Sequence, residues 1–592
     1  MSRCATVRVP STATRVTSAV RAATQITPAL LAATLLLSAP ARADEIILPL
    51  AGEAPTDGPD HFLIPFDVPE GIVEIEVRHT NLVAQNVLDW GLYDPTGFRG
   101  WGGGNAEPAV VGVEAASRSY LAGPISAGTW HVVVGKAQIK TTPAAYTLEI
   151  VLRDAGTLAP QPERAPHVAS PPLATGPRWY AGDFHVHSME SGDARPPLDE
   201  IATFARKRGL DFVEITDHNT TSQLDFFNAA QARHPDLLFV PGVEFTTYDG
   251  HANGVGATRW VDHKIGLDGV TIEGAARAFA DQGAIFSINH PMFDVGDLCI
   301  GCAWAHDLGG EHIGAVEIAS GGLSYTGNGV FTWPAIAFWD ALCARGLHVA
   351  ALGGSDDHRA GVDLGLFQSP IGDPTTLVFA EELSVAALLD GIRKGRTVVK
   401  LQGPDDPMIE LASSVTPTGD TIFARSTTFQ ARVSGGIGAE LRFVHNGQAL
   451  DPVPIDTDPF VGELKATDPG DGEDRFRAEV LVNGQPRTVT SHLWLRTGTA
   501  TDPLAPGISA ANEGGCGCTV PGRDGPPPPA GLLALSVVVA SVVVRAVSRH
   551  RPPSPGGGCG GSAPLPALPP LRPARARGGR GRPTGWGGRR GA

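Results

Sequence analysis

Asp183-Phe184-His185-Val186-His187 is the stretch whose reading decides the fold, and Asp193 follows closely behind it. Apolar Phe184 and Val186 alternate with two histidines. On a strand alternate side chains share a face, so His185 and His187 point the same way. Two imidazoles delivered to one place by an apolar strand suit a metal ion better than a packed core. A His-x-His pair is a weak sign by itself. Its weight comes from Thr216-Asp217-His218, Gly242-Val243-Glu244, His251, Asn289-His290-Pro291 and Gly354-Ser355-Asp356-Asp357-His358, most of which close a short apolar run.

Outward from that stretch, strands and helices alternate from Trp179 to about Val399. Pro197-Leu198-Asp199 opens a helix with Ile201, Ala202 and Ala205 on one side, and Gly209 closes it. Asp211–Ile215 reads as a strand delivering Asp217 and His218, and Leu237–Val240 leads to Glu244. A helix from Thr271 to Gly283 precedes Ala284–Ile288 and His290. Ala315–Ile318 is a further strand, and a helix around Ala335–Arg345 precedes Val349–Leu352, which leads to Asp356 and His358. Strand, site residue, helix is the order of an α/β barrel, with chemistry at the C-terminal strand ends. The barrel is expected over 178–400.

The candidate metal ligands are His185, His187, Asp193, His218, Glu244, His251, His290, Asp356 and His358. Imidazoles mixed with carboxylates, without thiolates, suit Zn, Mn or Fe at a hydrolytic centre. One ion needs only three or four protein ligands, so the set implies two or three ions. Glu244 is the natural bridge between cations, and a water shared by them would lose its proton near neutral pH and act as the nucleophile.

These motifs resemble those of the PHP (polymerase and histidinol phosphatase) superfamily. Within it, the run from Trp179 to Ser188, Thr216–Thr220, Gly250–Asn253, Ser287–Pro291 and Gly353–Asp356 are similar to the CehA/McbA-type metallohydrolases. The resemblance implies a distorted seven-stranded β/α barrel holding a trinuclear metal cluster. Most of the superfamily cleaves phosphoesters; the CehA/McbA name comes from members that cleave an aryl carbamate ester. Glu244 and Asp356 are expected at the reacting centre. Arg359 is a candidate clamp for a substrate anion, and a surface ion pair accounts for it equally well. Asp183 and Asp217 are candidates to orient ligand histidines, and Asp217 could instead touch a metal. Asn219, Asn253 and Asn289 either bond near the site or shape turns. His234, His263, His306, His312 and His348 read as ordinary histidines. Cys299-x-x-Cys302 reads as a local disulfide, and Cys343 as a buried thiol.

The flanks carry no comparable chemistry. Residues 1–43 read as an export signal: scattered arginines, the apolar run Ala29–Leu37 and the small-x-small site Ala41-Arg42-Ala43. Residues 44–153 have the strand spacing of a sandwich or jelly roll, with Trp90, Trp101 and Trp130 read as core. A Pro/Ala-rich linker is expected over 154–177, and an immunoglobulin-like sandwich over 405–500, with turns at Asn446-Gly447 and Asn483-Gly484. A Gly/Pro linker with Cys516-Gly517-Cys518 occupies 501–529, a short hydrophobic anchor with a basic stop 530–551, and a Gly/Pro/Arg tail 552–592 that is expected to be disordered. This C-terminal order resembles the Cys-containing sorting tags of myxobacterial surface proteins. It implies membrane association, contact with sorting machinery, and a place at the cell surface or outer membrane, or secretion after processing.

The whole chain of 592 residues, with 73 Gly and 50 Pro, is too long for a single core and rich in loops. A formal charge of −16 argues against nucleic acid as the main partner. The expected protein is therefore an exported metal-dependent hydrolase acting on a small-molecule phosphoester. A carboxyl or carbamate ester is the alternative substrate, and a non-catalytic surface binding protein the alternative class. Few cations stand near the motifs, namely Arg259, Lys264 and Arg359, which keeps ester hydrolysis in contention.

Overall fold

The computed structural model describes residues 45–321, 330–362, 369–413, 419–467, 469–470 and 472–496. The export signal and everything expected from 501 onward lie outside the described residues. Among the described residues no helix is long and apolar enough to cross a membrane. The protein is a mixed α/β molecule in which sheet predominates.

The N-terminal region forms two antiparallel sheets. Glu45–Ala54, Ala144–Arg153, Glu74–Asn81 and Ala109–Gly112 make one; His61–Val68, Gly128–Gln138, Val87–Asp94 and Gly97–Gly103 make the other. Buried and half-buried positions alternate from Ala144 to Ile150, as expected where one face meets a core. Ile75, Leu92, Trp130 and Ile150 fill the space between the sheets. The segment that follows packs instead of hanging free. Arg164 bonds Asp225 at 2.8 Å, and the Ala165 amide donates to the Asp225 carbonyl.

Thr175–Val186, the strand that carries the two histidines, is central in its sheet. It pairs in parallel with Phe212–Ile215, which pairs with Leu238–Pro241, and on its other side it pairs antiparallel with Thr375–Glu382. A second sheet runs Glu244–Thr247, Gly250–Val255, Ile285–Ile288, Ile313–Ser320, Ala350–Gly354. The short strands of both sheets are buried on both faces, which is why they read as unbroken apolar runs. The two sheets meet through isolated parallel bridges, His218 to Glu244 and Val186 to Asp357. Among the described residues the pairing gives two sheets joined by these bridges. Helices cover the outside. Leu198–Lys207 buries Leu198, Ile201, Ala202 and Ala205, and Ile272–Ala280 begins at Thr271, whose hydroxyl accepts from the Gly274 amide at 3.0 Å.

The C-terminal region is a second sandwich, and it shares a sheet with the centre. Thr397–Lys400 pairs with Gln485–Thr490, which continues through Glu473–Val482 to Glu440–His445. Met408–Ser413, Ser426–Ser434 and Phe460–Thr467 form the facing sheet. Both residues of Asn446-Gly447 and of Asn483-Gly484 have positive φ, the conformation a tight hairpin turn requires.

Candidate metal centre

Strand ends bring the candidate ligands together. Glu244, fully buried, stands in the middle. Its Oε1 lies 3.4 Å from His185 Nε2, 3.2 Å from His251 Nδ1 and 3.4 Å from His290 Nε2. Its Oε2 lies 2.7 Å from His218 Nδ1 and 3.5 Å from His187 Nε2. The two carboxylate oxygens therefore face different sets of imidazoles. Asp356 Oδ1 approaches His187 Nε2 at 3.0 Å and His185 Nε2 at 3.3 Å. Asp193 Oδ2 sits 3.3 Å from both His218 Nε2 and His358 Nε2.

The donor set fits divalent cations. A tetrahedral ion with bonds of about 2.0–2.1 Å sets its ligand atoms about 3.3 Å apart, close to the spacings here. The ligand atoms of His185, His187, Glu244 and Asp356 lie within 4.8 Å of one another, as do those of His187, His218 and His358. His185 Nε2, Glu244 Oε2 and His251 Nε2 are buried without a hydrogen bond. Carboxylates mixed with imidazoles, and such buried polar atoms, are what a cation would satisfy. Cys302 Sγ also lies near His251 and His290, but it is tied to Cys299 in a disulfide.

The outer nitrogens fix the ring orientations. His185 Nδ1–H donates to Glu317 Oε1 at 2.8 Å, His290 Nδ1–H to the Cys302 carbonyl at 3.0 Å, and His358 Nδ1–H to the Asp356 carbonyl at 2.8 Å. Each bond leaves Nε2 directed inward, the arrangement in which a second partner sets the tautomer of a ligand histidine. Glu317 Oε2 also accepts the His290 amide at 3.0 Å. Asn289 donates to Glu244 Oε1 at 3.1 Å and to Asn253 Oδ1 at 2.9 Å. Asp183 accepts the amides of His185, Ser355 and Gly372. Asp217 accepts the Ser188 amide at 2.6 Å and its hydroxyl at 2.5 Å, so it braces the backbone next to His187. Burial pushes the Asp217 carboxyl up to about 8, against the pull of those bonds.

Charge in the cluster is coupled. Burial opposes ionisation of Glu244, yet His218, His185 and His251 hold it well below the usual carboxylate range. Burial opposes protonation of His185, yet Glu317, Glu244 and Asp356 raise it well above the usual imidazole value. Backbone strain gathers here too: Asn219, His290 and Asp356 have φ of 48°, 27° and 56°. Non-glycine residues in that region cost energy and persist where surrounding bonds over-determine them. Asn219 shows how, since its side chain bonds both the amide and the carbonyl of Thr246.

Other singled-out residues stand apart. Arg359 is exposed and does not line the cavity above the cluster. Lys264 pairs with Asp262 at 2.6 Å and also reaches Tyr93. His234 bonds Asp199 and His348 bonds Glu473, while His263 is buried beside His61 and Trp101. Cys343 is free and buried. Trp90 and Trp130 are buried in the sandwich core. Glu317 is the residue that sequence reading passed over; its signal is a single carboxylate inside the apolar run Ala315–Ile318.

The cavity above the cluster measures about 430 Å³. Its floor is the cluster itself. Leu298, Cys299 and Ile300 line it from the central region, and Asp89, Trp101 and Asn105 from the N-terminal sandwich. That sandwich also holds the loop bearing Asp193. Arg118 donates to the Ala194 carbonyl at 2.9 Å, and the Ser119 hydroxyl to the Glu190 carbonyl at 2.7 Å. A Cβ on Gly192 would lie 2.4 Å from the Gly102 carbonyl oxygen, so the two segments touch backbone to backbone.

No protein-family model and no curated protein matches the chain. Among solved structures it is similar to a two-domain protein from Bacteroides vulgatus containing a predicted PHP-like metal-dependent phosphoesterase. Identity there is 18%, coverage 57% of this chain and 100% of that one, and the TM-score 0.31. It is also similar to an inferred metal-dependent phosphoesterase from Bifidobacterium adolescentis, with 15% identity, coverage of 32% and 92%, and a TM-score of 0.23.

Proposed function

We propose that the chain is a metal-dependent hydrolase of PHP type that cleaves a small-molecule phosphoester. One observation carries this reading: Glu244 presents its two oxygens to two separate groups of imidazoles, several of them oriented by a second hydrogen bond. His185, His251 and His290 with Glu244 Oε1 would hold one ion. His187 with Glu244 Oε2 and Asp356 would hold a second, and His218 and His358 with Asp193 a third. Asp356 spans the first two groups through His185 and His187. Zn, Mn or Fe suits this mixture of donors. Bound there, the ions would supply Lewis acidity and water of lowered pKa for attack on an ester.

The protein's own part is to orient and to enclose. Glu317, Cys302 and Asp356 fix three imidazoles by accepting from Nδ1, and Leu298 and Ile300 give a bound ester apolar surface to rest against. PHP membership, the CehA/McbA subtype and a closed seven-stranded barrel rest on the sequence motifs. Export by residues 1–43 and surface attachment through 530–551 are likewise part of the proposal and rest on sequence.

A carboxyl or carbamate ester is the second reading. It is favoured by the cavity lining, which holds no lysine or arginine among the described residues. The test is metal content of the purified protein, then turnover of p-nitrophenyl phosphate, its bis-ester, a carboxyl ester and an aryl carbamate. Two or three ions with turnover of a phosphoester is the expected result. Turnover confined to the carboxyl or carbamate ester selects the second reading. Glu244→Gln should lose both metal and turnover; retention of both would remove Glu244 from the centre.

A further inference from the structure

The wall of the cavity supplied by the N-terminal sandwich carries a carboxylate that feels the charge of His218 but hydrogen-bonds to none of the candidate ligands. Asp89 is half-buried, and its Oδ2 accepts from the Tyr248 hydroxyl at 2.7 Å. Tyr248 belongs to the central region, immediately after Glu244–Thr247, so this bond spans the junction of the two regions. A Cβ on Gly135 would lie 2.0 Å from the Tyr248 oxygen, so glycine is what lets that hydroxyl reach Asp89. Asp89 Oδ1 has no hydrogen-bond donor among the described residues, and the carboxylate lines the cavity that holds Glu244, His218 and His290. Trp101, from the same sandwich, lines the same space.

A carboxylate held by one tyrosine and facing a substrate cavity is an acceptor in search of a donor. With no lysine or arginine in the lining among the described residues, a second anionic group on the substrate would meet Asp89 unscreened. A hydroxyl or ammonium would meet a charge-assisted bond. We infer that Asp89 is a specificity-determining residue that selects esters carrying a hydrogen-bond donor, hydroxyl or ammonium, on the part of the substrate that faces the N-terminal sandwich. The inference deepens the hydrolase reading above and rests on it for turnover, but not for binding.

The test uses the metal-loaded protein in two assays. In the first, kcat/KM is compared for p-nitrophenyl phosphodiesters bearing 2-aminoethyl, 2-hydroxyethyl, ethyl or carboxymethyl groups. The donor-bearing esters should exceed the ethyl ester by about 10- to 100-fold, the scale of a hydrogen bond to a charged group, and the carboxymethyl ester should be the poorest. Asp89→Ala should collapse the ratio of donor-bearing to ethyl ester towards one. Asp89→Asn should keep part of the hydroxyethyl preference and lose the aminoethyl preference, which separates the two donors. Tyr248→Phe keeps the carboxylate and should retain the preference, so it serves if the Asp89 variants do not fold. In the second assay, calorimetry compares binding of 2-aminoethylphosphonate with that of ethylphosphonate. Tighter binding of the amine in the wild type, lost in Asp89→Ala, supports the inference even if no ester turns over, an outcome that would count against the hydrolase reading alone. Equal affinity for both phosphonates, or a donor preference that survives Asp89→Ala, overturns it.

Discussion

The bond from His185 Nδ1–H to Glu317 leaves Nε2 no direction but inward, and Glu317 holds the His290 amide with its other oxygen. Glutamine in its place can accept only one of those two bonds well. Glu317→Gln is expected to lower metal affinity about tenfold, the lower end of what such outer partners contribute; chelator competition measures it. Asp373 makes a different point. It is 2% exposed, its Oδ1 has no partner, and burial pushes its carboxyl up to about 7. The folded protein therefore holds a proton that the unfolded chain releases near pH 4. With more protons bound in the folded state, the part of the stability that Asp373 contributes falls as pH climbs from about 4 through 7 and then levels off. Asp373→Asn should flatten that slope, and urea midpoints at pH 5 and pH 8 would show it. The histidines and acids of the centre were legible in the sequence because most of them close an apolar run. Glu317 was missed because it lies inside one, and Asp89 because nothing in Leu88-Asp89-Trp90 marks a side chain that reaches another region.

Among the elements, Ala350–Gly354 depends on what it lacks. A Cβ on Gly354 would lie 2.3 Å from the Cβ of His185 and 2.8 Å from its amide nitrogen, so this strand end presses directly on the His-x-His strand. Gly354→Ala should displace His185 and reduce metal content as well as stability, whereas a helix-cap change such as Thr271→Ala should cost about 1 kcal/mol and leave metal content alone. Thermal unfolding beside metal analysis of both variants checks the contrast. The boundaries of two helices were readable because their signals are local: Pro197 ahead of Leu198, Thr271 ahead of Ile272, and Gly209 and Gly283 beyond the ends; the helices Leu224–Arg233 and Val385–Arg393 were not read. Sheet membership was not readable either. That Thr397–Lys400 would pair with Gln485–Thr490, far along the chain, is decided by long-range partners that no local pattern carries.

At the scale of the molecule, that pairing makes the centre and the C-terminal sandwich one structure. Val398 and Val399 are fully buried, and removal of the C-terminal strands would leave the edge formed by Thr397–Lys400 open. A chain ending at 404 is expected to aggregate or to be degraded, while residues 45–496 should unfold in guanidinium with the centre and the C-terminal sandwich in a single transition; tryptophan fluorescence and circular dichroism should coincide there. The N-terminal sandwich stands in another relation, joined to the centre by side-chain bonds and by the backbone contact of Gly192 with Gly102. In the gene, the segment encoding Asp89 and Trp101 lies wholly upstream of the segment encoding the metal motifs. Recombination between lineages could therefore replace what the protein recognises and leave intact what it does, provided each incoming segment brought a glycine-rich turn able to seat against Gly192.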